Sequence, residues 1–237
     1  MSANESNSLV SNSLVSKMSI STKIREIKAT LPDTTQLLAV SKFQPVSAIM
    51  EAYHAGQRIF GENKVQELME KQKHLPDDIE WHFIGHLQTN KVKFIVPFIS
   101  LIHSVDSLKL LEEIDRQAGK ENRIIRCLLE IHVAQEDTKY GFLFEEIRSL
   151  YEKNSFAELP NVQVVGLMGM ASQTDDEEQI RQEFHSLFLF FNEIKKQYAP
   201  YFSVLSMGMT DDYRIAIREG STIVRIGSDI FGERIIN

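Results

Sequence analysis

Lys42 closes the run Leu37-Leu-Ala-Val-Ser-Lys42, in phase with Leu38 and Val40, so its stem shares a strand face with apolar side chains. Desolvation lowers the pKa of an ammonium, and a neutral amine is a nucleophile able to form a Schiff base with an aldehyde. Taken alone, such a lysine also reads as a side chain that lays its stem on apolar surface and keeps its head in water. A second signal lies in Leu205-Ser-Met-Gly-Met-Thr-Asp-Asp212 and Val224-Arg-Ile-Gly-Ser-Asp-Ile-Phe-Gly-Glu-Arg234, where small residues follow apolar runs. Glycine permits close backbone approach, Ser206 and Ser228 offer hydroxyls, and amides at a helix start favour an anion. Two ordinary glycine turns are the alternative. Arg225, inside Ile223-Val-Arg-Ile226, is a cation in an apolar strand and needs a carboxylate, a phosphate or a ring acceptor.

Other polar residues end apolar runs in the same way: Glu62 and Asn63, His82 and His86, Asp106, and His132. On a strand the four-residue spacing of His82 and His86 separates them along one face, so no metal site is expected there. Cys127 has no second cysteine to pair with and sits among apolar neighbours, as a buried, reduced thiol does. Gly208, Gly227 and Gly232 form neither a dinucleotide fingerprint nor a Walker loop.

The elements that must carry these residues alternate throughout. Apolar runs at 36–42, 57–63, 80–86, 101–107, 126–133, 162–170, 204–209 and 222–226 read as eight strands. Between them, apolar residues at i, i+3, i+4 predict helices over 46–55, 65–73, 87–96, 108–120, 144–153, 177–198 and 211–219. Strict alternation implies parallel strands with right-handed crossovers, and eight units in about 215 residues fit a compact (β/α)8 TIM barrel, with a doubly wound sheet as the alternative. In a barrel, function collects at the C-terminal ends of the strands, where the polar residues above fall. Pro45 suits a first helical turn, Ser107 and Thr210 read as N-caps, and Gly119 and Gly220 as helix-ending glycines.

With 43% hydrophobic and 25% charged residues, the 237-residue chain is an ordinary globular protein and not a disordered or collagen-like one. A net charge of −7 excludes a general basic surface for nucleic acid or anionic membrane, and no apolar stretch is long enough to predict a membrane span. The Ser/Asn-rich start, with its tandem Asn7-Ser-Leu-Val-Ser11 and Asn12-Ser-Leu-Val-Ser16, lacks the pattern of a signal peptide and reads as a disordered tail over 1–19, with one domain over 20–237 and a cytoplasmic location.

From Ile20 onward the chain resembles the pyridoxal phosphate homeostasis proteins, single-domain relatives of the alanine racemase barrel. The resemblance rests on Ala39-Val-Ser-Lys42, Phe60-Gly-Glu-Asn-Lys-Val-Gln-Glu67, Trp81-His-Phe-Ile-Gly-His-Leu-Gln-Thr-Asn-Lys91, Leu205-Ser-Met-Gly-Met209 and Val224-Arg-Ile-Gly-Ser228. It implies a fold-type III barrel without a C-terminal β-domain, in which Lys42 carries pyridoxal 5′-phosphate as an internal aldimine. Asn63 would lie near the ring substituents, Ser206, Gly227 and Ser228 would bind the phosphate, and Arg225 would face the pyridine nitrogen. His82 and Met207 would complete the cofactor contacts. A guanidinium cannot accept the ring proton, so the cofactor becomes a weaker electron sink. Asp229 stands where the family often has Ala, which puts phosphate affinity in question if its carboxylate points inward.

The resemblance implies a protein that holds the cofactor or passes it on to apoenzymes that use it, as a monomer or weak dimer, with Lys42 as anchor more than base. The alternatives are a weakly active amino-acid racemase, for which a second acid/base opposite the lysine is wanted, and a sugar-phosphate isomerase or aldolase that uses Lys42 on its substrate. A scaffold with a vestigial pocket is the blandest reading.

Overall fold

The computed structural model describes residues 18–134 and 140–232. Most of the tail expected over 1–19 therefore lies outside the described residues. Eight strands, β1 (Gln36–Val40), β2 (Ile59–Glu62), β3 (Glu80–Phe83), β4 (Leu101–Val105), β5 (Ile125–Ile131), β6 (Val162–Gly169), β7 (Val204–Met209) and β8 (Ile223–Ile226), pair in sequence order. Strand β8 closes on β1 in parallel register, Gln36 opposite Ile223 through Ala39 opposite Ile226. The closed ring decides for the barrel against the doubly wound sheet.

Alternation along the strands builds two cores. Leu38, Leu101, Leu128, Val165, Met168, Val204 and Ile223 point into the bore and pack on one another. Their neighbours in sequence, among them Leu37, Ala39, Ile102, Cys127, Leu129, Leu205 and Val224, face the helices in a larger cluster. Gly61 leaves room in the bore, since a Cβ there would collide with the Leu38 side chain. Cys127 is fully buried, and burial pushes its thiol pKa up, away from reactivity.

The outer layer comprises α1 (Ile20–Thr30), α2 (Val46–His54), α3 (Val65–Gln72), α4 (Val92–Ile95), α5 (Leu108–Lys120), α6 (Phe144–Glu152), α7 (Glu177–Gln197), α8 (Tyr213–Arg218) and α9 (Ser228–Phe231). Seven answer to the periodic segments of the sequence; α1 and α9 do not. Helix α1 buries only Ile24 and Ile27, too sparse an apolar stripe to stand out, and starts where Ser19 Oγ accepts from Thr22 N at 3.2 Å.

Two expected punctuation marks are corrected. Gly119 lies inside α5, and the chain turns instead at Asn122, whose φ is 51°. Thr210 is not a cap: α8 starts three residues later, after Asp212. Ser107 does cap α5, accepting from Leu110 N at 3.3 Å, and Gly220 does follow α8 with a φ of 95°.

Candidate functional site

A cavity of about 480 Å³ opens at the C-terminal end of the barrel, between the ends of β1, β2, β3, β6, β7 and β8. Strand β1 delivers Lys42, half-buried and two residues past Val40, so the inward phase of Leu38 and Val40 carries the lysine to the mouth. Asn63 follows β2 on the same wall, and its Oδ1 is buried without a hydrogen-bond partner among the described residues. A Cβ at Gly85 would strike the Asn63 carbonyl, so glycine there permits the close seat.

A polar corner lies between β7 and β8. Thr210 Oγ1 accepts from Gly227 N at 3.4 Å and sits 3.2 Å from Ser228 Oγ, which ties the two loops together. Gly208, with a φ of 93°, sits inside β7 where its register with β8 shifts; a Cβ there would lie 2.5 Å from Ala216 Cβ. Asp229 is exposed on α9 and does not line the cavity.

Arg225 lines the cavity from β8 while nearly fully buried. It donates to Ser206 Oγ at 2.7 Å, Ser206 O at 2.9 Å and Gly169 O at 3.2 Å. Burial lowers its pKa to about 10, against the opposing pull of Asp212 and Glu130, so it stays cationic at neutral pH. Below it runs a chain of hydrogen bonds: Ser206 Oγ is 2.9 Å from His103 Nδ1, and His103 Nε2 is 3.0 Å from His82 Nδ1. Burial depresses both imidazoles, His82 to about 3, so each ring is neutral and carries one proton. Arginine only donates. The arrangement that gives the Ser206 hydroxyl proton an acceptor therefore runs one way, from Arg225 to Ser206, His103 and His82. Glu130 points into the bore from β5, in phase with Leu128. Burial first, then Asp106, pushes its carboxyl up to about 7, while Arg225 pulls the other way.

Of the eight residues singled out in the sequence, the structure brings Lys42, Asn63, Arg225, Gly227 and Ser228 together on the cavity wall. The other three side chains lie elsewhere. Ser206 and His82 are buried in the bore, where Ser206 Oγ meets Arg225 and His103, and His82 Nδ1 meets His103. Met207 faces the helices, as alternation from Ser206 requires. In its place Met209 reaches the cavity, because the β7–β8 register shifts between Ser206 and Met209. Met170, Gln173 and Ile84 also line the wall and were not singled out, and Thr210, expected as a helix cap, lines it too; Met170 and Met209 were legible only as the last residues of apolar runs.

A barrel with a lysine at the end of its first strand and a polar corner after its last two defines a class: the chain matches the family described as alanine racemase, N-terminal domain, over residues 15–235. Within that class it belongs to the pyridoxal phosphate homeostasis proteins. It is 44% identical over 200 residues to the pyridoxal phosphate homeostasis protein of Aquifex aeolicus, covering 84% of this chain and 87% of the relative. The structure of PipY from Synechococcus elongatus with pyridoxal phosphate bound superposes with a TM-score of 0.81 at 38% identity, covering 90% of this chain and 100% of that one. An alanine racemase of Clostridium difficile, 12% identical with a TM-score of 0.70 over 92% of this chain and 57% of the racemase, shares the barrel fold. Among the described residues no helix is long and apolar enough to cross a membrane.

Proposed function

We propose that the chain, from residue 20 to its end, is one unit that binds pyridoxal 5′-phosphate in the barrel mouth. It would thereby take part in cytoplasmic vitamin B6 and amino-acid homeostasis, holding the cofactor and passing it to enzymes that need it. One observation carries this reading: a single cavity gathers an amine at Lys42, an orphaned buried acceptor at Asn63 Oδ1, the buried Arg225 guanidinium and the Thr210–Gly227–Ser228 corner. These fit the four polar parts of the cofactor, which are its aldehyde, ring hydroxyl, pyridine nitrogen and phosphate. When bound, pyridoxal phosphate supplies an electrophilic aldehyde carbon and an electron-accepting ring.

Lys42 would anchor the cofactor: its neutral amine would condense with the aldehyde carbon, the carbonyl oxygen leaving as water with the two amine protons. Asn63 Oδ1 accepts from the ring hydroxyl. Gly227 and Ser228 take the phosphate, with Thr210 fixing both. Arg225 donates to the pyridine nitrogen and leaves it unprotonated, which holds the ring's electron demand low and favours storage over carbanion chemistry. Ser206, His103 and His82 support this by fixing the guanidinium from beneath.

The test is the absorbance spectrum of the purified protein with added pyridoxal phosphate, before and after borohydride. The expected result is a visible band that borohydride bleaches, with the cofactor mass fixed on Lys42 and absent in Lys42→Ala. A protein that gains no band, or fixes the mass elsewhere, overturns the reading.

A further inference from the structure

The motif Phe60-Gly-Glu-Asn-Lys-Val-Gln-Glu67 contributes Asn63 to the cavity, yet its two glutamates do not line it. They lie behind the lysine. Glu62, fully buried, accepts from Ser41 Oγ at 2.6 Å and from Lys71 Nζ at 2.7 Å. Lys71, a buried lysine on α3, also donates to Glu67 Oε1 at 2.6 Å and to the Ser41 carbonyl at 2.7 Å. Glu67 Oε1 in turn accepts from the backbone N–H of Phe43 at 2.6 Å. The residues on either side of Lys42 are thus both tied to one charged cluster.

Phe43 has a φ of 64°, the left-handed region that a bulky residue avoids, and its ring is exposed. Burying a carboxylate and an ammonium, Glu62 and Lys71, is costly, and a backbone in that region is held only where its surroundings over-determine it. The chain spends both at the residue next to its candidate anchor. We infer that Glu62, Glu67 and Lys71 are positioning residues for Lys42: they grip Ser41 and Phe43 so that the lysine enters the mouth in one fixed direction. This inference rests on the reading of Lys42 as the anchor.

Lys71→Met leaves Glu62 buried without its cation and invites unfolding, so the decisive variants are at Glu67, whose side chain is 22% exposed. Glu67→Ala removes the acceptor for Phe43 N–H; Glu67→Gln keeps an oxygen there. Two readouts are taken. Amide hydrogen exchange of the cofactor-free protein should show protection at Phe43 lost in Glu67→Ala and retained in Glu67→Gln. The rate at which pyridoxal phosphate becomes fixed to Lys42 should fall about tenfold in Glu67→Ala, as misplacing a reacting group does, and recover in Glu67→Gln with the thermal midpoint of Glu67→Ala otherwise near that of the parent. Unchanged protection at Phe43 overturns the inference, and so does an unchanged rate despite lost protection. A parent protein that fixes no cofactor on Lys42 fails the functional reading itself; the exchange result then separately decides whether the cluster holds the segment.

Discussion

Arg225 Nη1 lies 2.7 Å from Ser206 Oγ, so the cation that lines the cavity is held by a hydroxyl buried beneath it. The same hydroxyl meets His103 Nδ1 at 2.9 Å. Removing it in Ser206→Ala leaves His103 with an unmet buried acceptor, while Arg225 keeps the carbonyls of Ser206 and Gly169. Ser206→Ala should therefore lower stability by about 1–3 kcal/mol in urea unfolding and leave the cofactor on Lys42. A neutral effect on stability would count against the relay.

The bottom of that relay fixes an acid limit. His82 is depressed from 6.5 to about 3 by burial, with Arg126 adding to it. Between those values the unfolded chain binds a proton that the native ring refuses, so native stability falls as pH drops below 6.5. The loss from this group is on the order of 2 kcal/mol at pH 5 relative to neutral. In His82→Gln an amide oxygen still accepts from His103 Nε2–H and nothing titrates at 82. Its unfolding free energy should change less than the parent's between pH 7 and pH 5 by that amount, and equal slopes would refute the assignment.

Asn63 Oδ1 is a buried acceptor with no partner among the described residues. Its deletion forfeits no internal hydrogen bond, so Asn63→Ala should leave the thermal midpoint near the parent value. A hydrogen bond to the cofactor would be lost, and the dissociation constant for pyridoxal phosphate should rise roughly five- to tenfold. Equilibrium titration by absorbance reads it; unchanged affinity removes Asn63 from the contact set.

The alternation of short Val/Ile/Leu runs with helical stripes made the barrel legible, and phase along β1 was enough to send Lys42 to the mouth; Arg225 stood out only as a cation in an apolar strand. Local pattern served less well where pairing departs from regularity. The register shift after Ser206 brings Met209 to the cavity while Met207 faces the helices. Thr210 looked like a helix cap because caps are local, yet its partners, Gly227 and Ser228, arrive from the next strand. The relay was illegible for the same reason: His103 and Ser206 are 103 positions apart, and nothing near either residue in sequence announces the other. Burial likewise cannot be read from one position, and it is burial that turns Glu130 from an ordinary strand-end glutamate into a titrating group.

Glu130 reverses the usual sense for a carboxylate. Burial and Asp106 raise its pKa to about 7, so between 4.5 and about 7 the native state keeps a proton that the unfolded chain has released. Stability then falls as pH rises through that window, at a cost approaching 3 kcal/mol above it. Glu130→Gln is neutral throughout. It should match the parent in urea unfolding near pH 4 and exceed it at pH 8, by less than the full cost because Arg225 loses a favourable charge. The same proton changes the field in the bore: below pH 7 Arg225 acts on the mouth without its neighbour's negative charge. Affinity for pyridoxal phosphate should therefore rise more steeply in the parent than in Glu130→Gln as pH falls from 8 to 6. The ligand's own phosphate titrates identically in both proteins, so the difference between the two titrations isolates Glu130, and parallel curves would show that its charge does not reach the site.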